Sequence, residues 1–266
     1  MTLHHTSHRG FTLIELSIVM VIVALIVSGV VVGRSMLEAA ETRTVASEFN
    51  MYTTSFKEFI DKYQAIPGDM NNAENYWGSD ASCPATSTNT TQKKPTCNGN
   101  ADGMIGDWTN TATATANSER EWFRAWQQLA NAQLIEGLFT GVSGSTSTSA
   151  LIGTNVPASK TGKGGWTLLF MASDGTTDTT FFNSATSSHV LMYGNQTTGS
   201  FTDTAIFTPS QMQSLDDKTD DGMPYTGKLR VKKSTAAACT DAALTTSTYL
   251  STSSAQACQL LFLMGM

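Results

Sequence analysis

Residues 16–33 form a run of 18 positions without a charge, and the apolar character starts at Phe11, so that 23 residues contain a single ionisable group, Glu15. As a helix rising about 1.5 Å per residue, such a segment reaches roughly 34 Å, the thickness of the hydrocarbon core of a bilayer. A surface this apolar has to be covered, and a membrane is the cover its length fits. Glu15 is the anomaly. A carboxylate in a spanning helix costs on the order of 2–3 kcal/mol near the bilayer centre and less near an interface, so it calls for a partner. An α-amino group on a neighbouring copy would serve, if the chain were cut just before Phe11.

Gly10-Phe11-Thr12-Leu13-Ile14-Glu15 resembles the processing site of type IV pilins and type II secretion pseudopilins. The resemblance implies that a prepilin peptidase cleaves after Gly10 and methylates the new N-terminal Phe11, that residues 1–10 are a leader, and that Glu15 neutralises the amine of an adjacent subunit during filament assembly. Its implied partners are prepilin peptidase, other pilin or pseudopilin subunits, the inner-membrane assembly platform and the lipid bilayer. Two plainer readings compete. A secretory signal has an apolar core of about 7–15 residues followed by a small-x-small cut, whereas this core is longer and Ser35-Met36-Leu37-Glu38-Ala39-Ala40 contains no Ala-x-Ala. The other is a plain uncleaved anchor.

The flanks orient the span. Residues 1–10 carry Arg9 and three histidines with no acid, which favours a cytoplasmic N-terminus and an extracytoplasmic chain beyond about Arg34. That compartment is oxidising, so the four cysteines read as disulfides; the sequence-local pairs Cys83–Cys97 and Cys239–Cys258 are the most economical of three connectivities. A zinc site is the competing reading, but there is no Cys-x-x-Cys. The net charge of −6 gives no footprint for nucleic acid, despite a local basic patch at Lys228, Arg230, Lys232 and Lys233.

Beyond the span, Val45, Phe49, Tyr52, Phe56, Phe59, Ile60 and Tyr63 recur at steps of three and four, the stripe of a helix face that packs on a partner. Pro67-Gly68 ends it. One helix over residues 11–64 would be about 80 Å long; two helices broken near Gly29 or Gly33 are the alternative. Asp69 is placed to cap a short turn, and Tyr76-Trp77 to pack back on the long helix. Ser118-Glu119-Arg120-Glu121 is a capping box opening a helix with Trp122, Trp126 and Leu129 on one face and Gly137 at its stop. The order of these residues through Thr140-Gly141 is similar to the head of a subset of large pilin-like bacterial proteins. Strand patterns follow at residues 166–171, 189–193 and 228–232, with 259–264 as a closing strand. Thr208-Pro209-Ser210 opens a short helix ending near Leu215. The Cys239–Cys258 region resembles the disulfide-bounded region near the end of type IV pilins.

Two stretches invite a cation. In Asn98-Gly99-Asn100-Ala101-Asp102-Gly103-Met104-Ile105-Gly106-Asp107, oxygen side chains alternate and a glycine follows, which resembles the first half of a calcium loop. Asn98, Asn100, Asp102, Met104 and Asp107 are the candidate ligands, with Glu119 or Glu121 available to complete the shell. A glycine-rich turn stapled by Cys83–Cys97 is the alternative. Asp220 and Asp221, in Asp216-Asp217-Lys218-Thr219-Asp220-Asp221-Gly222, form either a second cation site or a solvated turn; the segment also resembles an Asp-Asp-Gly-x-Pro loop of pseudopilin-like heads. No catalytic set is visible. Beyond the leader only His189 remains, too little for a histidine-rich zinc site or a standard triad, and no phosphate loop occurs.

The expectation is therefore an α+β protein with a long N-terminal α-helix, membrane-spanning in its first half, packed on an antiparallel-sheet head. Residues 1–10 are the leader, 11–66 the helix and 67–266 the extracytoplasmic head. The function expected is a structural one, a minor or specialised subunit of a type IV pilus or a secretion pseudopilus, held in the bacterial inner membrane before assembly. A non-polymerising surface adhesin is the alternative. No cofactor is required, and calcium is the one ion the sequence suggests.

Overall fold

The computed structural model describes residues 10–81, 83, 94–106, 121–171, 187–231, 239–241 and 247–265. The chain divides into two compact units, Met1–Glu41 and Thr42–Met266. Helix α1 (Leu13–Tyr63) supplies the described part of the first unit after Thr12 and the opening of the second. Gly29 and Gly33 sit inside it without interrupting it, in keeping with a glycine cost of only about 1 kcal/mol per site.

In the first unit every large apolar side chain of α1, from Leu13 to Leu37, is exposed. A contiguous bare apolar surface of this size is one that water does not tolerate in a soluble monomer. The segment is long and apolar enough to cross a membrane.

In the second unit the stripe read from the sequence is the buried face: Val45, Phe49, Tyr52, Phe56 and Phe59 are inside, while Lys57, Glu58, Asp61 and Lys62 face solvent. Each buried apolar side chain contributes roughly 1.5–3 kcal/mol relative to exposure. The stripe lies on a four-stranded antiparallel sheet made of β1 (Gly165–Met171), β2 (Ser188–Gly194), β3 (Leu229–Val231) and β4 (Leu260–Leu263), in the order β1-β2-β4-β3. Phe49 stacks on Phe262 at 4.0 Å, Tyr52 meets Trp166 edge-on at 5.8 Å, and the rings of Phe56 and His189 are 5.6 Å apart. The last strand is thus an interior one. β2 and β4 are buried at consecutive positions, so both faces are covered, which is why their sequences read as apolar runs and not as alternation.

Helix α2 (Ala73–Trp77) brings Tyr76 and Trp77 back onto Tyr63, at 5.3 and 5.2 Å, as the sequence suggested. Helix α3 (Glu121–Asn131) is buried over residues 121–130, with Trp126 edge-on to Tyr52 at 5.0 Å. It stops six residues before the expected Gly137. Gln133 takes a left-handed φ of 61°, Leu134 N–H donates to Leu129 O and Gln133 N–H to Ala130 O, the paired bonds of a Schellman end without its usual glycine. Of the expected capping box, Ser118, Glu119 and Arg120 lie outside the described residues.

Helix α4 (Pro209–Thr219) starts as read, on a capping box between Thr208 and Gln211, but runs four residues past Leu215. The extension follows from Asp216, which is buried and belongs to the packed face instead of the solvated turn. Both sequence-local disulfides form, with Cα–Cα distances of 5.3 Å for Cys83–Cys97 and 5.1 Å for Cys239–Cys258. Buried Gln128 of α3 ties the first to the chain after α1: its Oε1 accepts from Gly68 N–H at 2.7 Å and its Nε2 donates to Cys97 O at 3.1 Å.

Candidate functional site

At the N-terminus, Gly10 and Phe11 precede α1 and are exposed. Thr12 caps the helix. Its backbone N–H and its hydroxyl both donate to Glu15 Oε2 at 2.9 Å, Glu15 N–H donates back to Thr12 Oγ1 at 3.3 Å, and Thr12 O accepts from Leu16 N–H. This is a reciprocal capping box, and it gives the one acid of the apolar stretch two donors within its own chain. The sequence reading assigned Thr12 no role, although Thr-x-x-Glu before an apolar run is the signal for it.

Residues 5–31 match the family model described as the prokaryotic N-terminal methylation motif. The N-terminus carries the type IV pilin and pseudopilin signature. The match stops well before the second unit, so the pilin signature identifies the tether and its processing class, and not the head. No curated protein and no solved structure matches the chain. A pilin-type N-terminus points to a structural protein anchored by its apolar helix in the inner membrane. The histidine beyond residue 10, His189, is buried, with its ring 5.1 Å from that of Phe170.

Among the described residues the head holds two acidic clusters. In the first, one carboxylate oxygen from each of Asp69, Asp102 and Glu121 lies within 4.8 Å of the others. Asp69 caps no turn with its side chain. Its two oxygens accept from Asp102 N–H at 3.0 Å and Gly103 N–H at 2.9 Å, while those of Glu121 accept from Asn100 N–H at 3.1 Å and Gly106 N–H at 2.9 Å. Two carboxylates from outside thus fold the loop 98–106 around themselves. Gly99 is required there, because a Cβ would lie 2.3 Å from Gly68 O.

Of the residues suggested as calcium ligands, Asn98 turns its Oδ1 to Glu74 N–H, Asn100 bonds Asp102 through both side-chain atoms, and Asp102 Oδ1 accepts from Met104 N–H. Asp107, like Glu119, lies outside the described residues. Asp69 was not among the suggested ligands, and no local pattern brings it to a loop some 30 residues away.

Burial pushes Glu121 up to about 7, partly offset by the Gly106 and Asn100 N–H groups and reinforced by Asp69 and Asp102. Asp69 is raised as well, again mainly by burial. A folded value above the unfolded one means that protonation favours the folded state. The stability attached to Glu121 is therefore fully present below about pH 4.5 and is lost as the pH rises through about 7, a change of at most about 3 kcal/mol. In chelator, the full chain in detergent should melt at a higher temperature at pH 5 than at pH 8, and Glu121→Gln should reduce that difference, leaving the part that the raised Asp216 and Asp69 supply. A melting temperature that climbs from pH 5 to pH 8 equally in both proteins would contradict the assignment.

The second cluster joins Asp216 to Asp220 and Asp221, again with one oxygen of each within 4.8 Å of the others. Asp216 is fully buried; its Oδ2 accepts from Tyr249 O–H at 2.7 Å. Burial raises Asp216 to about 7 and drives Tyr249 far above the usual tyrosine range. Asp220 Oδ2 accepts from Lys228 N–H and, at 3.0 Å, from Leu229 N–H, fixing the entry to β3. Asp221 accepts from Met223 N–H and from the Thr226 hydroxyl. Of the acids in the stretch read from sequence as a second cation site or a solvated turn, Asp220 and Asp221 were singled out, whereas Asp216 is the buried member, which nothing local distinguishes from a solvated acid.

Proposed function

We propose that the protein is a minor or specialised subunit of a type IV pilus or type II secretion pseudopilus. A prepilin peptidase cuts after Gly10 and methylates Phe11. The mature subunit waits in the inner membrane with its head outside the cytoplasm, and the assembly platform draws it into a filament through its apolar helix, where Glu15 meets the amine of a neighbouring copy. The observation that carries this is the conjunction of the Gly10 to Glu15 motif with a helix whose large apolar side chains from Leu13 to Leu37 are all exposed in the isolated chain. Size adds support for a specialised role: 266 residues leave a head of some 200, larger than that of a typical major pilin.

The experiment is the N-terminal residue and mass of the protein isolated from membranes of a host with an active prepilin peptidase. The expected chain begins at N-methyl-Phe11. A chain that keeps Met1 in such a host, and still reaches its working location, removes the proposal.

A further inference from the structure

The two acidic clusters differ in how their oxygens are satisfied. Around Asp69 and Glu121 all four carboxylate oxygens accept a backbone N–H, so the negative charge is spent on shaping a loop. Around Asp216 the account does not close. Its Oδ1 belongs to a fully buried side chain and has no hydrogen-bond donor. The Gly222 N–H approaches Asp216 and eases part of the burial cost, short of a hydrogen bond to Oδ1. A buried carboxylate oxygen left without a donor is costly, and native structures rarely keep one. Asp220 and Asp221 bring two further carboxylates to the same point, where like charges repel. Arg230 is close enough to feel both of them and offsets part of this charge, and its Nε donates to Gly227 O.

We propose that Asp216, Asp220 and Asp221 form a binding site for a hard divalent cation of the calcium class. Oxygen ligands about 2.3–2.6 Å from such an ion can stand up to roughly 5 Å from one another, which accommodates the separation seen here. Flexible coordination by carboxylates favours calcium over magnesium, which demands near-ideal octahedral geometry. The site is organised from behind: the Tyr249 hydroxyl holds Asp216 Oδ2, leaving Oδ1 for the ion, and Lys228 and Leu229 hold one oxygen of Asp220. The ion would fasten the end of α4 to the loop that leads into β3.

The test uses the full-length chain in detergent, stripped with chelator. Two readouts are followed: its melting temperature with calcium, magnesium or neither, and terbium luminescence sensitised by the nearby tyrosines. Calcium in about hundredfold excess over its dissociation constant should raise the melting temperature by several degrees, and magnesium by less. Asp216→Asn should abolish the shift. Should that variant fail to fold, the exposed Asp221→Asn serves in its place and should weaken terbium binding at least tenfold, whereas Asp102→Asn in the other cluster leaves it unchanged. Wild-type protein without a calcium shift or a terbium signal overturns the proposal, showing that Arg230 and a proton suffice for this cluster. Binding that is lost in Asp102→Asn and kept in Asp221→Asn overturns it equally, by placing the ion at the other loop.

Discussion

Glu48→Ala should destabilise the folded head by about 2–4 kcal/mol, as much as the loss of a large core side chain. Glu48 sits on the buried face of α1, next to Phe49, and is 3% exposed. Its Oε1 accepts from Lys160 N–H at 2.6 Å and its Oε2 from the Trp166 indole N–H at 2.8 Å, so one carboxylate pins α1 both to the loop before β1 and to β1 itself. Truncation leaves two buried donors unmade, each costing about 1–3 kcal/mol. Glutamine can satisfy one donor and must turn its own amide N–H₂ toward the other, which makes Glu48→Gln intermediate. Trp166→Phe removes one of the two donors, so the double variant Glu48→Ala, Trp166→Phe should lose less than the sum of the singles. Denaturant unfolding followed by tryptophan fluorescence measures all four variants against wild type. A Glu48→Ala midpoint indistinguishable from wild type would mean that water replaces the carboxylate and that aromatic packing alone docks the helix.

Glu48 also marks where sequence reasoning stops. The aromatic stripe around it was legible because its partners recur at three and four residues, a local regularity. Its hydrogen-bond partners lie 112 and 118 residues away, and an acid on the buried face reads locally as one more surface charge. Asp69, Glu121 and Asp216 share that fate: all three are acids whose burial is decided by segments remote in the chain. β1, β2 and β4 were legible as apolar runs and β3 as an alternation, and both disulfides because their loops are short. The end of α3 was misplaced because Gln133 adopts the left-handed turn that a sequence reader assigns to Gly137. At the N-terminus the signal ran the other way. Thr12 and Glu15 form a pattern readable at three residues' spacing, but the cost of an acid in lipid drew attention to an intermolecular partner before the intramolecular one was counted.

That intramolecular partner sharpens what Glu15 should do. In the isolated chain the carboxylate already holds the Thr12 N–H and hydroxyl, so it has two roles that alanine removes together, closing the first turn of α1 and carrying a negative charge. Glutamine separates them, because it serves in a capping box as well as glutamate does and has no charge. If the charge meets a neighbour's amine, Glu15→Ala and Glu15→Gln should both insert into the membrane at wild-type level, since removing an acid from the span only eases insertion. Both should then fail to enter filaments, with incorporation down on the order of a hundredfold, the effect expected when one partner of a poorly solvated ion pair is left alone at a cost of about 3 kcal/mol or more. If the cap is what matters, Glu15→Gln should assemble normally, and Thr12→Val, which keeps the charge and loses the hydroxyl, should be the defective variant. Comparing each protein in the membrane fraction with the same protein in filaments sheared from cells distinguishes the two patterns. Wild-type incorporation of Glu15→Ala would dispose of both roles and leave the apolar surface of α1 as the whole of what assembly reads.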